Sequence, residues 1–112
     1  MVNKRYIPDA GDFIWIDFDP TKGHEQGKLR PALVLSAKAY NKNSSLIVVC
    51  PITSKSKGYP FEVAVSSKKI SGVVLSDQIR TIDWNARSVQ FISRSPSALL
   101  EQVRCRIHAL IF

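Results

Sequence analysis

Residues 12–36 constrain the fold more than any other stretch, because they contain two β-forming segments on either side of a polar loop. Residues 12–19 are rich in aromatic and β-branched side chains and predict a strand. Residues 31–36 predict a second one. Pro20 and Pro31 restrict φ at the two strand ends and oppose helix formation across the loop. This chain is therefore expected to be built on short strands, with an exposed polar loop between the first two.

The remaining sequence predicts further short elements of the same kind. Four more strands are expected, at residues 46–50, 61–65, 72–80 and 88–92, with Pro51 ending the first of them. Residues 39–45 predict a turn-rich link that opens with one helical turn, and Asp83 is expected to cap a short helical turn over residues 83–87.

The C-terminal segment predicts the one clear helix. Ser95 is its expected N-cap and Pro96 its first residue. An apolar stripe at helical spacing follows, made of Leu99, Leu100, Val103, Ile107, Leu110 and Ile111. Short strands with one terminal helix predict a mainly β or α+β class.

Length and composition bound the class of protein. With 112 residues, 45% hydrophobic and 22% charged, the chain is expected to be one soluble globular domain, residues 1–112. Neither a membrane-spanning run nor a signal peptide is recognisable, which favours a cytoplasmic location. Cys50 and Cys105 are expected to be reduced core thiols. Together with His24 and His108 they have no metal-ligand spacing, so no metal and no cofactor is predicted.

The formal net charge of +7 favours a polyanionic partner: RNA, DNA or an acidic protein segment. Many of the basic residues fall in or beside predicted loops rather than along one helix: Lys22, Lys28, Arg30, Lys55, Lys57, Arg80 and Arg87. This distribution fits a cleft rimmed by loops better than a helix that reads a groove.

The loop after the first strand concentrates groups that can do chemistry. It brings a carboxylate, an imidazole, two amines and a guanidinium into a short span: Glu25, His24, Lys22, Lys28 and Arg30. Gly23 and Gly27 flank the carboxylate and let the backbone approach a ligand closely. Acid, base and cation on one loop held by a scaffold is a common plan for an active site.

Five motifs follow one another along the chain: Asp-Phe-Asp-Pro-Thr-Lys-Gly-His-Glu-Gln at 17–26, Arg-Pro-Ala-Leu-Val-Leu-Ser at 30–36, Pro-Ile-Thr-Ser at 51–54, Gly-Tyr-Pro-Phe-Glu-Val at 58–63 and Ser-Asp-Gln at 76–78. In this order they resemble the MazF/PemK family of bacterial toxins. The resemblance covers nearly the whole chain. It implies a twisted antiparallel sheet closed into an SH3-like barrel, with the C-terminal helix alongside and two copies forming a symmetric dimer.

The resemblance also implies an activity, which is metal-independent, sequence-specific cleavage of single-stranded mRNA to 2′,3′-cyclic phosphate and 5′-hydroxyl ends. The family's catalytic glutamate, arginine and threonine fall on Glu25, Arg30 and Thr53. Glu25 is then the general base, Arg30 stabilises charge on the phosphate, and Thr53 adds a hydroxyl hydrogen bond. Arg30 suits the phosphate because its planar fork matches paired oxygens.

The expected RNA-binding residues are His24, Lys28, Ser54, Lys55, Lys57, Tyr59, Asp77, Gln78 and Arg80. Asp77 is the base in one branch of the family, where an arginine stands two places earlier. Here that place is Leu75, which favours Glu25 as base. The glycine at 27 stands one place earlier than is usual in the family.

The resemblance further implies a growth-arresting toxin neutralised by an acidic antitoxin in the RNA cleft, with DNA binding through the complex. Two alternatives remain open. One is a non-catalytic gyrase poison of the CcdB kind, although the chain ends Ala-Leu-Ile-Phe rather than in that toxin's Trp-Gly-Ile. The other is an SH3-like module that binds nucleic acid or peptide without cleaving.

Overall fold

A computed structural model describes residues 5–18 and 29–112. Over these residues the elements are β1 (Asp12–Asp17), β2 (Leu29–Val34), α1 (Lys38–Ser44), β3 (Leu46–Thr53), β4 (Glu62–Ser66), β5 (Ser71–Leu75), β6 (Arg80–Asp83), β7 (Val89–Arg94) and α2 (Ser97–Ile111). Neither helix in this part of the chain is long and apolar enough to cross a membrane.

The strands form one antiparallel sheet that curls into a half-barrel around β3. Its main path is β4-β5-β3-β2-β1-β7. One edge of β3 pairs with β2, and the other pairs first with β6 over residues 46–49 and then with β5 over residues 52–53. The prediction of a mainly β or α+β fold, with a twisted antiparallel sheet in an SH3-like barrel and a C-terminal helix, is confirmed, and the barrel takes the form of a curled half-barrel.

Pro51 does not end β3, contrary to the expectation from sequence. The strand runs on to Thr53, and Pro51 lies opposite Ala32 of β2. On the other edge of β3, the pairing with β6 extends only as far as Val49, and the pairing with β5 begins at Ile52. Proline, which lacks an N–H group, is tolerated here because neither neighbour on that edge pairs with this residue.

The single strand expected over residues 72–80 is also wrong, because the chain turns after β5. The Ser76 hydroxyl and backbone N–H both donate to the carbonyl oxygen of Phe61, and the N–H of Gln78 donates to the oxygen of Leu75 at 3.0 Å. This turn ends the pairing of β5 with β3 and allows β6 to pair with β3 in its place. The following residues form turns rather than a helix, with Asp83 Oδ1 accepting the N–H of Asn85 at 3.0 Å.

The link after β2 contains a longer helix than the one turn expected. Asn41 of α1 is fully buried, and its amide donates to the carbonyl oxygens of Pro8 (2.7 Å) and Ser36 (3.0 Å). Its side-chain oxygen accepts the Ser36 hydroxyl at 2.6 Å, and its backbone oxygen accepts Trp84 Nε1–H at 2.9 Å. Because the whole amide is satisfied, α1 can cover the end of the sheet at little desolvation cost.

Both faces of the sheet are buried, because successive side chains of a strand point to opposite sides. The first cluster lies under α2 and contains Phe13, Leu33 and Cys50. The second cluster lies on the opposite face and contains Ile14, Ala32, Val34, Ile47, Val49 and Ile82, with Phe18 and Trp84 at its margin.

α2 begins one residue later than predicted. Pro96 is the N-cap, no side chain caps the helix, and the Ser95 hydroxyl is buried without a hydrogen-bond partner in the described structure. Leu99 and Val103 are buried against the first cluster. The stripe leaves the core towards its end, where Leu110 and Ile111 are 52% and 58% exposed.

The two cysteines differ in a way that the sequence did not indicate. Both are free, but only Cys50 is buried, whereas Cys105 is exposed on α2. Burial, together with the negative charge of Asp77, raises the pKa of Cys50 to about 12. The expectation that both are core thiols holds for Cys50 and is wrong for Cys105.

A thiol titration tests this environment. In a Cys105→Ser variant we expect Cys50 to resist a disulfide reagent at pH 8, where the thiolate fraction is about 10⁻⁴, and to react once the protein is denatured. Because the raised pKa favours folding only while the thiol is protonated, this contribution is complete below about pH 9 and is lost as the pH rises towards 12. Rapid modification of the folded variant at pH 8 would contradict the assignment.

Candidate functional site

Strand register brings Arg30 and Thr53 to the same end and face of the sheet. β2 and β3 pair as far as Ala32 opposite Pro51, and extending this register by two residues aligns Arg30 with Thr53. Arg30 alternates with Ala32 and therefore lies on the face of the second cluster. Thr53 lies on the same face, by alternation with Val49. Adjacent strands lie about 4.8 Å apart, so the extended register would place these two residues beside each other.

Each of the two has groups suited to a phosphate. Arg30 is exposed, and its side chain forms no hydrogen bond or ion pair with another described residue. Thr53 Oγ1 accepts the N–H of Lys55 at 3.1 Å, which fixes the hydroxyl oxygen and leaves its proton to be donated elsewhere. Ser54 and Lys55 are exposed immediately after it.

Arg80 adds a second guanidinium to this end of the sheet. It lies opposite Val49 at the start of β6, on the same face as Ile82. Its Cζ is 5.0 Å from the centroid of the Phe18 ring, which follows β1. A cation over an aromatic face is held electrostatically, so Arg80 is drawn towards the end of β1.

Arg87 also contacts the C-terminal end of β1, through a hydrogen bond to a backbone oxygen. Its Nε donates to the backbone oxygen of Asp17 at 3.0 Å, and its Nη1 donates to the oxygen of Asp83 at 3.4 Å. The last residue of β1 is thereby tied to the last residue of β6. This clamp fixes the point at which the chain leaves β1.

Asp77 and Gln78 lie in the turn between β5 and β6 and are both exposed. β5 leaves the edge of β3 after Val74, which pairs with Ile52, and β6 begins opposite Val49, so this turn lies beside Cys50 and Pro51. Asp77 also acts on the buried Cys50, whose pKa it helps to raise. The turn thus lies next to the β3 residues that precede Thr53.

The segment after Thr53, residues 54–60, forms an exposed loop that carries Lys55, Lys57 and Tyr59. Tyr59 is 53% exposed, and its ring centroid is 6.0 Å from that of Phe61. The Glu62 carboxylate accepts hydrogen bonds from this loop, which lower its pKa from the ordinary value, chiefly the bond from the N–H of Lys57. The loop is therefore organised even though it is exposed.

Three residues expected at the site, His24, Glu25 and Lys28, lie outside the described residues. The structure places the others on β2, at the end of β3 and in its following loop, in the β5–β6 turn and at the start of β6: Arg30, Thr53, Ser54, Lys55, Lys57, Tyr59, Asp77, Gln78 and Arg80. Across the described ranges, no group of three or more His, Cys, Asp or Glu residues is arranged to hold a metal ion.

Sequence reasoning missed three supporting residues. Phe18 was assigned only to the strand, although an aromatic residue just before a basic loop can receive a cation. Glu62 falls within the strand expected over residues 61–65, and the sequence does not distinguish it from other strand residues. Gly72 has φ +136°, and a Cβ built on it would lie 2.3 Å from the backbone oxygen of Thr53. Only the tertiary structure reveals that contact.

A curled sheet that carries exposed guanidinium, hydroxyl, amide and lysine groups on its strand ends and loops is suited to an anionic ligand. Comparison with known proteins makes the class specific. The profile of the family described as PemK-like, MazF-like toxin of type II toxin-antitoxin system matches residues 9–111. The chain belongs to this family.

Individual relatives agree over almost their full length. The chain is 46% identical over 107 residues to "Endoribonuclease toxin MazF" of Escherichia coli (strain K12), with 96% of each chain covered. MazF from Deinococcus radiodurans in a solved crystal structure has a TM-score of 0.85 at 46% identity, covering 96% of this chain and 98% of that one. A MazE-MazF crystal structure from the same organism gives 0.86 at 42% identity, covering 96% and 97%.

Proposed function

We propose that this protein is an endoribonuclease toxin that cleaves single-stranded mRNA at a short sequence motif. The observation that carries the proposal is the 46% identity to a named endoribonuclease toxin over 96% of both chains. The alignment of Arg30 with Thr53 at one end of the sheet supports it physically, because the pair offers a guanidinium and a hydroxyl proton to one phosphate.

The proposed reaction uses the RNA's own 2′-hydroxyl as the nucleophile. The 2′ oxygen bonds to phosphorus as the bond from phosphorus to the 5′ oxygen breaks, which yields a 2′,3′-cyclic phosphate and a 5′-hydroxyl. One group must take the 2′ proton, and a donor must serve the leaving oxygen. Since the nucleophile is already part of the substrate, this route needs no metal-bound water.

The roles follow from side-chain chemistry. Glu25 takes the 2′ proton, a step worth about 10²–10⁴-fold for a well-placed base. Arg30 stabilises the extra negative charge of the five-coordinate phosphorus, since its fork donates to two oxygens at once. Thr53 donates its free hydroxyl proton to the same group.

Substrate binding is assigned to the basic and aromatic groups around this pair. Single-stranded RNA is favoured because unpaired bases can stack on side chains and expose their edges. Tyr59 and Gln78 suit base contacts, while Lys28, Lys55, Lys57 and Arg80 suit phosphates. His24, Ser54 and Asp77 complete the proposed rim.

The partners are proposed from the relatives and from charge. The Deinococcus structures of MazE-MazF complexes support a cognate antitoxin. An acidic, partly disordered antitoxin segment suits a protein of net charge +7, because it can follow the path of an RNA backbone. We further propose one toxin domain over residues 1–112, a homodimer, DNA binding through the antitoxin complex and a cytoplasmic location.

Cleavage in the presence of EDTA tests the activity and its metal independence together. Purified protein, incubated with a long natural RNA and EDTA, should produce discrete fragments. We expect these to end in 2′,3′-cyclic phosphate and to begin with 5′-hydroxyl, and mapping the 5′ ends gives the motif. Cleavage that requires added Mg²⁺, or fragments with 3′-hydroxyl ends, would overturn the mechanism. RNA left intact would overturn the function.

A further inference from the structure

The Glu62 carboxylate lies at the centre of the loop formed by residues 54–60. Its Oε1 accepts the Ser56 hydroxyl at 2.8 Å and the N–H of Gly58 at 3.0 Å, and its Oε2 accepts the N–H of Lys57 at 2.9 Å. Both oxygens are therefore used by one short stretch of the loop. The backbone N–H of Glu62 also donates to the oxygen of Tyr59 at 3.1 Å, which closes the turn.

The loop is fixed at its two ends as well. At its N-terminal end, Thr53 Oγ1 accepts a hydrogen bond from the N–H of Lys55. At its C-terminal end, the carbonyl oxygen of Phe61 accepts hydrogen bonds from the hydroxyl and the N–H of Ser76. Residues 54–60 are all exposed to solvent, so little of the loop is held by packing. A loop with so little burial depends on such hydrogen bonds for a defined conformation.

Glu62 is also an unexpected charge for an RNA-binding edge. A free carboxylate beside a phosphate backbone would repel it, but here the negative charge faces backbone N–H groups and a hydroxyl. The backbone bonds lie at Lys57 and Gly58, between the side chains of Lys55 and Tyr59. The carboxylate can thus set the direction in which these groups are displayed.

We propose that Glu62 is a positioning residue that holds residues 54–60 in the conformation that binds RNA, without contacting the reacting phosphate. This role rests on the proposed endoribonuclease function. It predicts an effect on substrate binding rather than on the chemical step, because Arg30 and Thr53 belong to strands that Glu62 does not support directly.

The test compares Glu62→Ala with Glu101→Ala on a single-stranded oligonucleotide containing the cleavage motif. Each substitution raises the net charge from +7 to +8, since each removes one negative charge. Glu101 lies on α2 and pairs only loosely with Arg104, at 3.9 Å. We expect Glu62→Ala to raise KM about tenfold with kcat within about twofold of the original protein. Glu101→Ala should leave KM unchanged or lower it slightly.

A second measurement follows the loop without RNA. Amide exchange at Lys57 and Gly58 should accelerate about tenfold or more in Glu62→Ala and remain unchanged in Glu101→Ala. Ser56→Ala removes one of the three hydrogen bonds and should give a smaller change in both readouts. Thermal melts establish that each variant is folded.

The results separate the two proposals. Faster amide exchange with an unchanged KM, a KM that falls as in the Glu101 control, or a loss confined to kcat would each overturn the positioning role. If the original protein itself leaves RNA intact, the endoribonuclease proposal fails and the role in RNA binding fails with it. The exchange rates would still report whether Glu62 orders the loop.

Discussion

Replacing Arg30 by alanine should reduce the rate of RNA cleavage by about 10²–10³-fold, the usual cost of removing one donor aimed at charge that develops in the transition state. The side chain is exposed and makes no hydrogen bond or ion pair with other described residues, so its loss should change the free energy of unfolding by no more than about 0.5 kcal/mol. Initial cleavage rates at saturating oligonucleotide, with a denaturation curve, measure the two effects.

Two further variants make this result specific. Arg30→Lys keeps the charge and loses the planar fork, so we expect an intermediate rate. Arg104→Ala removes one positive charge from exposed α2 and should leave kcat nearly unchanged. A folded Arg30→Ala protein that retains more than a tenth of the original kcat would refute the catalytic assignment.

Replacing Gly72 by alanine should destabilise the protein by about 3–5 kcal/mol, the combined cost of overpacking and of a backbone conformation closed to side chains. The added Cβ would lie 2.3 Å from the oxygen of Thr53 and 2.9 Å from its carbonyl carbon. Backbone atoms cannot rotate away as a flexible side chain can. Either β5 separates from β3 or Thr53 moves, and both should abolish cleavage.

Gly58→Ala is the matched control for this prediction. Gly58 also has a positive φ, +77°, but a Cβ built there meets nothing within 4 Å. Its replacement should therefore cost only the backbone term, about 1–2 kcal/mol. Chemical denaturation of both variants isolates the steric contribution. Equal losses of stability would show that the contact with Thr53 carries no energetic weight.

The sequence pattern was sufficient for the fold class because the strands are short and are separated by glycine, proline and polar turns, and the family resemblance implied the barrel-like sheet with its C-terminal helix. It failed where tertiary pairing overrode a local rule. Pro51 remained within β3 because neither β6 nor β5 pairs with it. The strand expected over residues 72–80 divided at Ser76, whose hydrogen bonds to Phe61 join positions that no local pattern links.

The residues of the candidate site likewise fall into those that the sequence predicted and those that only the structure revealed. Arg30 and Thr53 were identified from a family resemblance, and the register of β2 and β3 supplies a physical reason for their proximity. Glu62 and Gly72 were not foreseen, because their roles depend on a loop that folds back and on a close backbone contact. Supporting residues of this kind have ordinary identities and acquire importance only from their neighbours.

The division of one β3 edge between two partners has a consequence for synthesis of the protein. β6 begins at Arg80, 34 positions after the start of β3 at Leu46. A nascent chain that has not yet emerged to that point lacks both Arg80 and the strand that covers residues 46–49. The sheet cannot be completed on the ribosome until the late part of the message has been read, so a prematurely terminated product should be harmless to the cell that makes it.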